Sequence, residues 1–294
     1  MPDETRSPGL RSDPAADEPS LSALVRRHDR DRYQMALFAA GDRREALLAL
    51  YAFNYEIARI RETVTQSMLG QIRLQWWREV VDAAYAGTPP RQHPVVLPLS
   101  GVIREFRLTR GHFDRLIDAR ETDLADEPPA SLAALQDYAE GSSAPLVQLA
   151  LEVLGAREAM AQAAARQVGI GYALAGLLRA MPFHACNGRS YIPADIAERE
   201  GLDAADYEAG RGTPALRCAV REIADIAAAH LHAARERRAA IPRSALAAVL
   251  PAIIADRFLA RLRRAQYDPF APALVAPDPL QIWRLAFAAL VGRF

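Results

Sequence analysis

A chain of 294 residues that is 51% hydrophobic and 24% charged has the composition of a globular protein with a sizeable core. Its 36 basic and 36 acidic residues cancel, so the overall balance calls for neither nucleic acid nor an anionic partner, although local patches stay open. All the basic residues counted are arginine, which excludes Schiff-base chemistry and a Walker-type phosphate lysine.

Residues 1–20 are rich in Pro, Asp and Ser with almost no apolar content and read as a disordered tail. They lack the apolar run of a signal peptide and carry acids that a transit peptide avoids. From 21 to 294 the apolar spacing is helical nearly everywhere, without sustained period-two alternation, which predicts one all-α domain. Asp42 and Glu45 have capping-box spacing and open a helix carrying "EALLALYAFNYEIARI", apolar over most of its circumference and therefore deep in the core. Further helices are predicted at about 66–86, 98–109, 111–124, 131–154 and 157–180, with breaks at "GTPP", Gly111, "DEPP" and Gly155. Pro182 ends this run in a polar turn, "FHACNGRSYIP". Beyond it a short helix at 194–200 precedes longer ones at 213–240, 243–265 and 278–292, with breaks at Pro242 and "YDPFAPALVAPDP". No window reaches the roughly 18 uninterrupted apolar residues of a membrane span.

Several side chains invite a chemical reading. Trp76, Val80 and Ala84 recur at four-residue intervals on one helix face, the pattern of core packing. His230 and His232 are two apart, which points them to different faces of a helix and argues against a shared metal. Cys186 and Cys218 fit no metal-ligand spacing and are too few for a disulfide scaffold, consistent with a reducing cytoplasm. His184 and Cys186 share the turn but have no orienting acid or oxyanion donor nearby in sequence. Arg179, Arg189 and Tyr191 flank that turn as a candidate phosphate grip, set against ordinary salt-bridged arginines. The apolar C-terminal "PLQIWRLAFAALVGRF" suits docking onto the core, with a partner or peripheral membrane contact as the alternative.

Three ordered segments, "REALLALYAFNYEIARI", "LQWWREVVDAAYAGTPPRQHPV" and "GIGYALAGLLRAMPFHACNGRSYIP", resemble the squalene/phytoene synthase family over about residues 30–265. The resemblance implies a single isoprenoid-synthase helical domain whose cavity condenses two prenyl diphosphates. It also implies two aspartate-rich motifs that hold magnesium. The chemistry needs them because magnesium takes oxygen ligands and its charge offsets the leaving diphosphate.

On this chain the first motif falls on Ala58 to Glu62, where only Glu62 is acidic and Arg59 and Arg61 add positive charge that repels a cation. The second aligns on "AMPFHACNGRSYIP", its two aspartate positions occupied by Ala180 and His184, with Pro182 between them expected to break the bracket. No metal ligand set is expected. Arg179, Gly188, Arg189, Tyr191 and Pro193 match the surrounding scaffold. The same turn, with "AHLHAARE" and "QIW", is similar to a non-catalytic branch of the family that assists assembly of respiratory complex I, the NADH dehydrogenase. That resemblance implies a pseudoenzyme in the bacterial cytoplasm, peripheral at the inner membrane, with complex I subunits or assembly intermediates as partners and no cofactor. Two alternatives stay open. One is an active prenyl transferase whose magnesium is held by Glu62 with Asp118, Glu121 and Asp123, against the reading of "DARETDLADE" as a solvated helix end. The other is a carrier of an isoprenoid or lipid ligand.

Overall fold

The computed structural model describes residues 20–294, so the disordered tail expected for residues 1–20 lies, apart from Ser20, outside them. The first helices are capped by side chains. Ser20 accepts from the Ala23 amide at the start of α1 (Leu21–His28), and Asp29 accepts from the Arg32 amide at the start of α2 (Arg30–Ala36). Helix α3 (Gly41–Ala58) starts one residue before Asp42, with Ala40 as its cap and no side-chain cap bond. The expected capping box is therefore absent, and Asp42 lies in the first turn, where its charge suits the helix dipole. As predicted, α3 has little polar face: Leu47, Leu48, Leu50, Tyr51, Phe53 and Ile57 are all buried.

Helix α4 (Ser67–Ala86) ends at Gly87, whose φ of 71° is the left-handed cap glycine adopts without strain. On its inner face Trp77, Val80, Val81 and Ala84 are buried, while Trp76 is half-buried at the rim beside His93. The periodicity found the face but centred it one residue early. The next helices are α5 (Val96–Glu105) and α6 (Arg110–Thr122), so the break falls at 106–109 and Gly111 belongs to the first turn of α6.

The long antiparallel pair α7 (Leu132–Val153) and α8 (Ala159–Arg179) forms the middle of the molecule. They approach so closely at one point that a Cβ on Gly169 would fall well inside van der Waals contact with the Ala144 backbone, 2.7 Å from its nitrogen. Two turns of small residues make this crossing possible, with Ala164, Ala165, Gly169 and Ala144 all buried.

Pro182 does not break the bracket of positions 180 and 184 as expected. Helix α9 (Met181–Cys186) takes it into its first turn, where the missing amide has no partner to lose. The His184 amide still donates to the Ala180 carbonyl at 3.0 Å, so those two positions remain one helical turn apart. After α10 (Ala194–Glu200) and α11 (Ala204–Glu208), α12 (Pro214–Glu236) packs along α8, its Leu231 filling the space over Gly171. The helix expected at 243–265 is divided into a 3-10 turn, α13 (Leu246–Val249) and α14 (Pro251–Arg264), because Pro251 can start a helix but cannot continue one. Short α15 (Pro272–Val275) interrupts the expected loop, and α16 (Gln281–Val291) closes the chain. Among the described residues there is no strand, and no helix is long and apolar enough to cross a membrane.

Two glycines of α8 test the crossing. Gly169→Ala is expected to lower stability by about 1–3 kcal/mol through overpacking against α7. Gly176→Ala, whose Cβ would meet nothing within 4 Å, is expected to raise it by about 0.5–1 kcal/mol. Denaturant unfolding of the two variants beside the parent measures both.

Candidate functional site

The C-terminal end of α3 faces α9 across a cavity of about 630 Å³. Its lining brings Ala58, Arg61 and Glu62 together with His184, Arg189 and Tyr191. Residues from the two motif segments, more than a hundred positions apart in the chain, thus share one space. A smaller cavity of about 300 Å³ adjoins it through the shared Ala58, Arg120, Tyr138 and Leu177 and extends toward Arg32, Asn54 and Tyr172.

The wall between α6 and α9 is organised by Asp123, which is only 6% exposed. One carboxylate oxygen accepts from the Tyr138 hydroxyl at 2.7 Å and the Tyr191 hydroxyl at 3.0 Å, and the other accepts from the Arg120 guanidinium at 3.1 Å. A buried charge needs such saturation. Burial and the negative charge of Asp123 push the Tyr191 hydroxyl up to about 12 and the Tyr138 hydroxyl well above its usual value, so both phenols stay protonated as donors. The reading of "DARETDLADE" as a solvated helix end therefore fails at Asp123. It holds for Asp118 and Glu121, which pair with Arg78 at 2.6 and 2.9 Å and do not line the cavity.

The candidate phosphate grip is not assembled as a trio. Arg189 donates to the carbonyls of Asp123 and Ala125, at 3.0 and 3.1 Å, and Tyr191 is held by Asp123. Arg179 points away to α2, paired with Asp31 at 2.7 Å, and lines the adjoining cavity instead. Of the first motif segment, Arg61 pairs with Asp126 at 2.6 Å, and Arg59 turns to Glu56 and the Tyr55 ring outside the main cavity. His184 packs against Tyr191, ring centres 4.8 Å apart. Burial, reinforced by the positive charge of Arg189, lowers its pKa to about 4, so the imidazole is neutral at physiological pH. His230 is bonded to Gln167 and Gln136, while His232 is exposed.

The magnesium that the fold resemblance implies does not fit this lining. Glu62 is an exposed lone acid, and the carboxylate of Asp123 is already taken up by Arg120, Tyr138 and Tyr191. Arg61 and Arg189 add positive charge beside them. Among the described residues no three His, Cys, Asp or Glu side chains converge to hold a metal ion.

A second buried cluster, absent from the sequence reading, lies on the adjoining cavity. Arg32 pairs with Asp29 and sits 5.2 Å from the Tyr172 ring, and desolvation pushes the Tyr172 hydroxyl up to about 12. The signal for both clusters was present as polar residues inside apolar helices, Tyr138 with Ser142 and Ser143 in α7 and Tyr172 in α8.

Residues 25–286 match the sequence profile described as squalene/phytoene synthase. Among curated proteins the chain is 31% identical over 268 residues to NADH dehydrogenase (ubiquinone) complex I, assembly factor 6 of Bos taurus, covering 89% of this chain and 80% of that protein. Presqualene diphosphate synthase of Rhodopseudomonas palustris is 28% identical over 192 residues, covering 65% and 68%. A crystal structure of a squalene synthase from Alicyclobacillus acidocaldarius superposes with a TM-score of 0.75 at 23% identity, over 85% of this chain and 94% of that one, and so shares the fold.

Two outcomes test this geometry. Asp123→Ala is expected to cost about 3–5 kcal/mol, because it leaves the Arg120 guanidinium buried without its partner, and urea unfolding measures it. For His184, a depressed pKa means that the unfolded chain binds the proton more readily. Stability is then full above about 6.5 and falls as pH drops from there toward about 4. The slope of stability against pH in that window is expected to be shallower in His184→Asn than in the parent.

Proposed function

The chain belongs to the squalene/phytoene synthase family, and we propose that it uses that scaffold without prenyl-transfer chemistry, as an assembly factor for respiratory complex I. The observation that carries the reading is the charge of the cavity wall. Departure of a diphosphate requires positive charge delivered by a metal at the reacting end, and the metal requires free carboxylates. Here Ala58, Arg59, Ala180 and a neutral His184 stand at motif aspartate positions, Arg61 adds positive charge to the wall, and the one buried acid of the wall is consumed by the fold. The retained one-turn spacing of Ala180 and His184 makes side-chain chemistry the deciding factor, since the backbone bracket is still in place.

The resemblance to the complex I assembly factor over nearly nine-tenths of the chain supports the second half of the proposal. A chain freed from catalysis keeps its helical surface, and that surface serves as a platform for subunits or assembly intermediates of the NADH dehydrogenase. The cavity needs no magnesium in this role.

The purified protein, given farnesyl or geranylgeranyl diphosphate with and without magnesium, is expected to release no diphosphate above background beside an active presqualene diphosphate synthase. Metal-dependent release with a lipid product would overturn the proposal. Membranes of a deletion strain are expected to contain less assembled NADH dehydrogenase. The parent gene restores the level, and Ala180→Asp with His184→Asp does not improve on it.

A further inference from the structure

Helix α16 docks with one face only. Leu285 and Ala288 are buried against the body, whereas Trp283, Phe287 and Leu290 are 70, 67 and 78% exposed. Positions 283, 287 and 290 are three and four apart, so the exposed side chains form one continuous stripe. Contiguous large apolar groups of this kind mark an interaction surface.

The helix is held firmly enough to aim that stripe. At its start the Gln281 amide donates to Asp31 and Gln34, each at 2.8 Å, and at the chain end Arg235 donates to the Phe294 carbonyl at 2.9 Å. The Phe294 ring is buried.

The surroundings carry a net positive charge. From residue 241 to the end the chain has seven arginines and three aspartates. Each aspartate is neutralised within the fold, Asp256 by Arg235, Asp268 by Arg217 and Asp278 by Arg257 and Arg284. Arg243 and Arg293, exposed at the C-terminal end of α16, have no carboxylate partner among the described residues. This segment is therefore cationic in a chain of zero net charge.

We propose that α16 docks the protein on an anionic membrane surface. Trp283, Phe287 and Leu290 enter the boundary between headgroups and acyl chains, and Arg243 and Arg293 meet lipid phosphates. At 11 residues the helix is about 16 Å long, far short of a hydrocarbon core of about 30 Å, so it lies in the plane of the interface. An outward tryptophan beside a rim of net positive charge is the chemistry of such an interface. The inference does not depend on a role in complex I assembly, since a membrane-bound enzyme could dock in the same way.

Flotation of the full-length protein with vesicles tests it, using phosphatidylcholine alone and phosphatidylcholine mixed with phosphatidylglycerol. The parent is expected to float with the anionic vesicles, less so at high salt, and to stay behind with neutral ones. Trp283→Glu with Phe287→Glu is expected to weaken binding at least about tenfold, and Arg243→Glu with Arg293→Glu by several-fold at low salt. These side chains are exposed, so thermal unfolding should not change. Failure of the parent to float, or equal flotation of the apolar-face variant, would overturn the proposal. So would equal binding to neutral vesicles. A dimer that the Trp283 and Phe287 changes dissociate, without vesicle binding, would assign the face to a second copy of the chain.

Discussion

Because the carboxylate of Asp123 is buried, its oxygens must be satisfied from within the fold, and the groups that satisfy it come from otherwise separate parts of the chain. Arg120 belongs to α6, Tyr138 to α7 and Tyr191 to the turn after α9. Arg189 fastens the same turn to the backbone around residue 123. This one acid thereby ties α6, α7 and the turn after α9 into one wall of the cavity. The surrounding helices can pack closely because α7 and α8 meet at Gly169 and Ala144.

The same network decides the electrostatics of the cavity. A carboxylate bonded to two phenols and a guanidinium offers little to a hard cation, which needs several free oxygen donors. Arg189 gives its donors to carbonyls and also helps to keep His184 neutral. Neutral His184 and the ion-paired Arg61 then face one another in a space that carries no concentrated negative charge. Pro182 starts α9 and leaves Ala180 and His184 one helical turn apart.

The helical content and most helix positions were legible in the sequence. Long apolar runs such as 46–53 and the 3.6-residue pattern of α4 bury their side chains wherever they pack, so their periodicity survives into the structure. Boundaries set by single residues were less legible. Asp42 has capping-box spacing yet caps nothing, Gly111 lies inside α6, and Pro251 divides a run that periodicity alone reads as continuous. The sequence reading placed Ala58, Glu62, Ala180 and His184 on motif positions, and Arg120 is within one helical turn of Asp123, but Asp31, the partner of Arg179, and Tyr138 and Tyr191, the other partners of Asp123, lie on other elements. Spacing along one helix carries no information about them.

The sequence by itself determined the all-α class, most helix faces and an arginine-only set of basic side chains, because composition and periodicity are properties of the chain that folding does not alter. Only the tertiary structure decided that Asp123 is an internal tie, that Arg179 serves α2 and that α16 shows an apolar stripe to its surroundings. Burial and hydrogen-bond partners depend on which helices meet, and that is settled by packing the whole chain at once.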